Sequence, residues 1–444
     1  MNHAGMVRGP RGEQAVAIFA FFLLFPGFFF YHTLLGLGVM GAFLGGFFAP
    51  ASLLVLPPLI YMYLMRIRRD PNRLAKPDIA FGIYLAYFVM VVAAHAALGG
   101  KMVHVVHHIL GILFLLNVFL IYKAIDFSGR QFRRIGLLSL LAMSAIVFWF
   151  SIDGVFYLGA LGIAKDADSL ATYQGFSRSY LFTFVPVIAF TRSPALRILL
   201  YCIGAPTLFF NTARSEFIAL LFVIPIIEFY HSKNKLVVAF IFLALAVAAN
   251  IYLEDIIALL PHNRILELLD LSQSTSANKR HHLTVYAIQT INEHPFLGDF
   301  GSYPPGLYAH NVLSAWVDLG IVGIVYLLAM ITIPAIVMFI REYFRSRNYY
   351  EFLLPFSLAS ITLLLLLTSH FFTDMLIGAT LGCYSTYWYG RKHDKRQPWP
   401  AGAALRRGKP VHHTLFSPGA PRHRLSLLGR GQPGDCSLTR STST

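Results

Sequence analysis

Runs of about 20 apolar residues recur along this chain from Ala15 almost to Tyr389. A helix of that length crosses the hydrocarbon core of a bilayer, which is about 30 Å thick. Such runs must be helical, because lipid offers no hydrogen-bond partner to a free peptide group. The chain is 56% hydrophobic and only 13% charged, whereas soluble domains carry roughly 25% charged residues. The sequence therefore predicts an all-α polytopic membrane protein.

Twelve apolar segments are the predicted transmembrane helices. They cover 15–33, 40–65, 78–98, 104–122, 135–152, 179–191, 196–210, 216–231, 236–253, 311–340, 352–369 and 371–389. The chain then divides into an N-terminal segment (1–14), helices one to nine (15–253), a long loop (254–310), helices ten to twelve (311–390) and a tail (391–444). We expect short amphipathic helices in the long loop, because unstructured loops of that length are uncommon.

The distribution of lysine and arginine predicts the orientation of these helices. Twenty of these residues fall in the even-numbered loops and just after the last helix, and seven fall in the odd-numbered loops. Cytoplasmic loops collect positive charge, so both termini are expected inside, and the loops 153–178 and 254–309 outside. No small-residue cleavage site follows the first apolar run, which is therefore expected to remain as helix one.

The net charge of +15 comes largely from the tail, which contains eleven Lys and Arg but only two Asp. Its many prolines and weak apolar periodicity predict a disordered cytoplasmic extension. A basic segment beside a membrane is explained by orientation and by contact with anionic membrane lipids. We therefore expect no nucleic-acid partner.

A polar island, Asn211-Thr-Ala-Arg214-Ser-Glu216, separates two apolar segments at the predicted outer surface. An interfacial arginine costs a few kcal/mol unless it is paired or binds a ligand. Arg214 is therefore a candidate functional residue. The alternative is a structural ion pair with Glu216 or Asp318, and both interpretations stay open.

The segment that begins at Arg280 predicts an amphipathic helix lying on the membrane. Its apolar positions recur with helical spacing, and they are Leu283, Ala287, Ile288 and Ile291. Pro295 and Gly298 then end the helix. No Lys-Ser/Thr pair and no preceding strand accompany the glycines, which excludes a nucleotide-binding loop.

His310 stands where the long loop enters a helix, and either it or Asn311 is expected to cap that helix. A single interfacial histidine is more often structural than catalytic. Asp318 favours a functional role for His310, because this acid lies about two turns deeper on the same helix, where acids are rare.

Two clusters have the spacing of metal ligands, but no metal or other cofactor is predicted. His104, His107 and His108 share a helix face, yet neither a cysteine nor a carboxylate neighbours them in sequence. Asp166 and Asp168 are better explained as part of a solvated acidic loop.

These segments together resemble the bacterial O-antigen ligase and O-antigen polymerase family. The family pattern has an Arg, a helix, a Pro and Gly turn, and then a His-Asn or His-Ser start to a helix with an acid and spaced glycines. Its counterparts here are Arg280, Pro295-Phe-Leu-Gly298, His310-Asn311, Asp318-Leu-Gly320 and Gly323. Arg214 matches a further family arginine, and the match covers residues 205–330. The chain departs from the pattern at Glu216, where a small residue is common, and at Asp299-Phe300, which lengthens the turn.

The resemblance implies a metal-independent glycosyltransferase at the periplasmic face of a bacterial inner membrane. The donor would be an undecaprenyl-diphosphate-linked glycan. Guanidinium groups suit the phosphate oxygens that gain charge as the sugar leaves, so Arg214 and Arg280 are the predicted clamp. His310 would be the general base that takes the proton of the acceptor hydroxyl.

Three further residues are predicted to bind substrate. They are Arg178 from the other outer loop, Asn311 beside the base, and Asp318, which could orient His310 or pair with an arginine. Among the functions, a polymerase whose acceptor is another lipid-linked repeat unit is favoured. A ligase that transfers finished glycan to lipid A core or protein is the nearest alternative. A flippase or other transporter is the alternative from another class, although no repeated halves are evident.

Overall fold

The computed structural model describes residues 11–43, 46–71, 74–164, 170–261, 263–266, 275–304, 307–344 and 350–394. The chain divides into two units, Met1–Arg396 and Gln397–Thr444. The second unit, and with it nearly all of the predicted basic tail, lies outside the described residues. Asp166 and Asp168 also lie outside them.

The described part is almost entirely helical, with one short hairpin of β1 (Ser151–Ile152) and β2 (Val155–Phe156). The helices are α1 (Arg11–Phe22), α2 (Phe28–Gly36), α3 (Phe48–Arg69), α4 (Lys76–Ala97), α5 (Met102–Ala124), α6 (Arg130–Phe150), α7 (Tyr173–Ala189), α8 (Pro194–Phe210), α9 (Arg214–His231), α10 (Lys235–Ile251), α11 (Leu253–Leu259), α12 (Thr275–Glu293), α13 (Leu313–Met338), α14 (Leu353–Thr368) and α15 (Met375–Asp394). Each predicted helix has a counterpart here, and the largest displacement is that of the second, which begins at Phe48 instead of residue 40.

Six helical stretches among the described residues are long and apolar enough to cross a membrane. They are Gly12–Gly36, Phe48–Arg69, Lys76–Ala97, Met102–Ala124, Arg130–Phe150 and Leu313–Tyr343. The pair α10 and α11, bent by 73°, adds a seventh if it is one span. The chain is therefore an all-α protein with the helices of a membrane protein, and the number of twelve spans stays a prediction.

Close packing of α15 against α5 places the beginning of α15 beside the middle of α5. Gly378 and Gly382 are four residues apart on α15, and a Cβ at either would meet the backbone of α5 at Leu115 or Phe119. Small residues at this spacing let two membrane helices approach closely. The residues that precede Met375 are thereby held beside the first turns of α5.

Charged groups from successive loops meet at opposite ends of the helices. At one end Glu13 pairs with Arg66, and Asp78 pairs with Lys123 at 2.5 Å. Groups from the loops predicted to lie outside meet at the other end, as described below. Successive loops therefore lie at alternate ends of the helices, as predicted. The side of the membrane on which each end lies stays a prediction.

The helix predicted over the segment after Arg280 is present as α12, which ends at Glu293, just before Pro295. It packs through Ala287 and Ile291 onto Tyr303, Ala309 and Val317. Ile288 lies outside this contact and is 48% exposed, and the position of the helix on the membrane stays a prediction.

Helix α13 is broken at Gly320, where φ is +68° and ψ is −174°. The break frees backbone carbonyls on α13, and the turn after α12 fills it. Asp299 donates its N–H to the Val317 carbonyl at 2.7 Å, and the Ile321 N–H reaches the Phe296 carbonyl at 3.2 Å. A helix within lipid tolerates such a break only where neighbouring protein groups satisfy the freed backbone.

Gly320→Ala is expected to destabilise the protein, because only glycine readily adopts this backbone conformation. A Cβ there would also lie against the backbone of Phe296 and Leu297. We expect a loss of about 1–3 kcal/mol or more, measured by thermal unfolding in detergent. Gly82→Ala on α4 is the control, since its Cβ would meet nothing and alanine favours a helix by up to about 1 kcal/mol. Equal unfolding temperatures for Gly320→Ala and the wild type would contradict the structural role of this break.

Candidate functional site

A buried ionic cluster joins three helices at the end predicted to face outward. Arg178, near the start of α7, lies 3.1 Å from the Asp374 carboxylate and 3.9 Å from that of Glu216. His370 bridges the same two acids, with Nδ1 2.9 Å from Asp374 and Nε2 3.7 Å from Glu216. Glu216 is 1% exposed and Asp374 3%. Two carboxylates at this depth require the neighbouring cations.

The electrostatics of Asp374 show what holds the cluster together. Burial by itself raises the pKa of this carboxyl, but the opposing effects of Arg178 and His370 hold its pKa well below the usual range. Asp374 is therefore ionised at neutral pH, and Arg178 is already engaged by a structural anion.

Tyr308 connects this cluster to His310. Its ring lies 4.5 Å from the His310 ring and 4.4 Å from that of Phe371. The pKa of its hydroxyl is raised by burial, and the charges of Arg178, Asp374 and Arg280 also act on it. The long loop thus brings His310 to the surface of the ionic cluster.

A second group of arginines, of which Arg280 acts on Tyr308, lies near the ionic cluster. Arg280, half-buried at the beginning of α12, has its pKa lowered by burial and then by the charges of Arg214 and Arg264. Arg264 stacks over the Tyr173 ring at 4.6 Å. Among the described residues no carboxylate pairs with Arg280, so the acids of the cluster around Arg178 do not neutralise its charge.

His310 is neutral at physiological pH. Burial, the charge of Arg280 and the nearby His370 lower its pKa to about 4, against the opposing effect of a hydrogen bond to the Ser369 backbone. A neutral imidazole has a free nitrogen lone pair and can accept a proton. The structure therefore brings Arg178, Arg280 and His310 together, and Arg214 acts on Arg280 at the same place.

The prediction that Asp318 lies beside His310 or an arginine was wrong. Its carboxylate lies 3.5 Å from Nε2 of His108 and accepts the Gly301 N–H at 3.1 Å. The α5 histidines, which have no carboxylate close to them in sequence, therefore have one close in space, because Asp318 comes from a distant helix. Within the described residues no group of three His, Cys, Asp or Glu side chains has the geometry of a metal site.

Asn311 has a structural partner at the beginning of α13. Its side-chain oxygen accepts the backbone N–H of Leu313 at 3.0 Å, which satisfies one of the free donors of the first helical turn. The N-cap position itself is occupied by Val312, so Asn311 supports the first turn from one residue before that position. Its proposed role in binding substrate stays a prediction.

Sequence reasoning missed four residues of the site: Glu216 as a partner of Arg178, Arg264, His370 and Asp374. Asp374 was hidden because the twelfth predicted helix began at residue 371 and included it, and His370 was the single residue between the last two predicted helices. The signal was present, since Ser369-His-Phe-Phe-Thr-Asp374 interrupts two apolar helices with a histidine and an acid. Polar residues within such runs are rare without a function or a partner.

An apolar cavity of about 290 Å³ opens beside the ionic cluster. Its walls are mainly phenylalanines and leucine from the helices α2, α3 and α5 and the turn before α2, and Arg178 and Asp374 lie at its polar edge. A site of this kind offers an apolar surface and a charged group to one ligand.

No family model and no curated protein matches this chain. The resemblance to the O-antigen ligase and polymerase family therefore rests on the residues quoted for it, and the roles of the site residues stay predictions.

The pKa of His310 can be measured by NMR titration of the histidine ring protons, with the signal assigned through His310→Gln. We expect a midpoint at about 4, so that the ring is neutral above that pH and charged below it. Arg280→Gln should raise the midpoint toward the ordinary value of about 6.5, because a repelling charge is removed. It should stay below that value, because burial remains.

The control for this titration is Arg130→Gln, which changes an exposed arginine at the first residue of α6, at the opposite end of the helices. This variant should leave the midpoint unchanged. A wild-type midpoint near 6.5 would show that His310 is neither buried nor close to Arg280.

Proposed function

We propose that this chain is a membrane glycosyltransferase that polymerises undecaprenyl-diphosphate-linked repeat units at the periplasmic face of a bacterial inner membrane. The observation that carries this proposal is the meeting of a cationic group, a neutral histidine and an apolar cavity at one place. A lipid-diphosphate donor has the three complementary parts. They are an anionic diphosphate, a sugar whose transfer needs a base, and a prenyl chain.

The charges of the site favour an anion. Arg214 and Arg264 both act on Arg280, so positive charge is concentrated around this guanidinium group. Arg280, which lacks a carboxylate partner among the described residues, is the best placed to bind phosphate oxygens, and guanidinium groups bind these in a bidentate manner.

The proposed transfer step uses the acceptor hydroxyl as nucleophile. Its oxygen forms a bond to the anomeric carbon of the donor sugar, while the bond from that carbon to the diphosphate oxygen breaks. The leaving diphosphate keeps the electron pair, and Arg280 with Arg214 stabilises the growing negative charge. His310 accepts the hydroxyl proton and later releases it to water.

The low pKa of His310 has a consequence for this step. A base with a pKa of about 4 is weak at neutral pH, because the ideal catalytic pKa lies near the operating pH. A bound diphosphate brings negative charge close to Arg280 and so offsets the charge that depresses the His310 pKa. His310 would therefore be a stronger base when the donor is bound than when the site is empty.

A ligase that transfers finished glycan to lipid A core or protein would use the same donor site, and it is the alternative within this class. A flippase would also bind the carrier, but it would need no base beside the diphosphate. Substitution of His310 therefore distinguishes the two functions, because it should abolish glycan transfer by a transferase but leave transport by a flippase intact.

The donor site can be tested with undecaprenyl diphosphate itself, which carries no sugar. The full chain in lipid nanodiscs should bind it more tightly than undecaprenyl phosphate, and much more tightly than undecaprenol. Arg280→Gln should weaken diphosphate binding by about ten- to a hundredfold, since hydrogen bonds to charged groups contribute about 1.5–3 kcal/mol. Arg130→Gln should bind as the wild type does. Equal binding of all three lipids by the wild type would contradict the proposal.

The reaction can be tested by deleting the gene in the source bacterium and extracting its lipid-linked glycans. A polymerase predicts that single lipid-linked repeat units accumulate, whereas a ligase predicts long lipid-linked chains. The wild-type gene and Arg130→Gln should restore normal product. His310→Gln should restore no product even though the purified variant still binds undecaprenyl diphosphate. Normal product from His310→Gln would exclude a catalytic histidine at this position.

A further inference from the structure

A second cavity, of about 90 Å³, lies on the other side of Tyr308 and Phe371 from the ionic cluster. Both of these rings are part of its wall. Its polar groups come from two helices and the long loop, and they are His104, His107, His108, Ser314, Asp318, Tyr303 and Tyr308. His104, His108 and Asp318 are each only 7% exposed.

The pairing of His108 with Asp318 leaves a place for a hydroxyl donor. Nδ1 of His108 lies 2.8 Å from the His104 carbonyl, which can only accept, so this nitrogen carries the proton. Nε2 of the same ring lies 3.5 Å from the Asp318 carboxylate, beyond the roughly 2.7–3.2 Å of an ordinary N–H···O hydrogen bond. A hydroxyl group, which both donates and accepts, can contact both side chains.

His104 supplies an independent sign of a ligand. Its Nε2 atom is buried and has no hydrogen-bond partner among the described residues. A buried polar atom without a partner costs about 1–3 kcal/mol, and such an atom in a native structure calls for a ligand or water. This atom belongs to a residue that lines the cavity.

The chemistry of the lining favours a neutral, polyhydroxylated ligand. A sugar hydroxyl both donates and accepts, so it can satisfy an imidazole nitrogen and the Asp318 carboxylate at once. The aromatic walls suit the C–H faces of a sugar ring. An anion is disfavoured by the buried Asp318 carboxylate, in contrast to the arginine group beyond Tyr308.

We propose that this cavity binds the sugar that receives the glycan, an assignment that rests on the proposed transferase function. Tyr308 lines the cavity and its ring also contacts His310 at 4.5 Å, so a bound sugar lies one side chain away from the proposed base. The volume is well below the ~300–1,000 Å³ typical of sites for drug-sized ligands. The cavity therefore holds part of one sugar ring, and the rest of the acceptor extends outward.

Saturation-transfer NMR on the full chain in nanodiscs can test this proposal with methyl glycosides of glucose, galactose, mannose and N-acetylglucosamine. We expect at least one of them to bind the wild type. His104→Leu and Asp318→Asn should each weaken that binding by about tenfold or more, the effect of one lost hydrogen bond in a buried site. His104→Gln should retain most of it, because an amide still donates and accepts.

The matched control is His231→Leu, at the end of α9 remote from the cavity, which should bind sugar as the wild type does. Every sample is also tested for undecaprenyl diphosphate, which the cavity variants should bind normally, showing that they are folded. If the wild type binds the lipid but none of the sugars, or if His104→Leu and Asp318→Asn bind sugar normally, the cavity is not the acceptor site. If the wild type fails to bind the lipid, the proposed function fails and the acceptor role falls with it.

Discussion

The buried ion pair between Arg178 and Asp374 is the interaction on which the end of the protein predicted to face outward depends. It joins α7 to the segment before α15, and Glu216 and His370 extend it to α9 and the end of α14. Removing one partner of such a pair leaves an uncompensated charge inside the protein, at a cost of about 3–5 kcal/mol. The cluster thus holds in register the loop ends that carry Tyr308, His310 and Phe371. Its net charge also matters, because its own acids neutralise Arg178 and leave Arg280 for an external anion.

The break in α13 at Gly320 is the second constraint, and it couples the long loop to the helices. A continuous helix would use its own carbonyls, whereas here the Val317 carbonyl is satisfied by Asp299 and the Leu319 carbonyl by the hydroxyl of Tyr87. The turn after α12 is therefore locked against α13, and Gly301 of the same turn donates to Asp318. One glycine thus positions both Arg280, at the start of α12, and the second cavity.

Sequence alone predicted the helices and four of the converging residues, because both signals are local. Apolar runs report burial in lipid directly, and polar residues stand out at predicted helix ends, as Arg178, Arg214, Arg280 and His310 do. The pairing of side chains is not local. His108 and Asp318 meet only because α5, α15 and α13 pack together, and Asp374 was hidden inside an apolar run whose true helix begins one residue later. The backbone of Gly320 was equally beyond prediction, since a spaced glycine in a membrane helix more often marks close packing.

Tyr308 and Phe371 separate two environments of different chemistry. On one side lie guanidinium groups and an apolar cavity, and on the other lie imidazoles and one carboxylate in a small cavity with aromatic walls. A single ligand would not suit both environments. Arginines favour an anion on one side, whereas the Asp318 carboxylate disfavours an anion on the other. Two ligands of unlike charge would each find a complementary surface, and their reacting ends would meet at the edge of Tyr308. His310 lies at that edge, which is where a base must stand to take a proton from a neutral acceptor as it attacks an anionic donor.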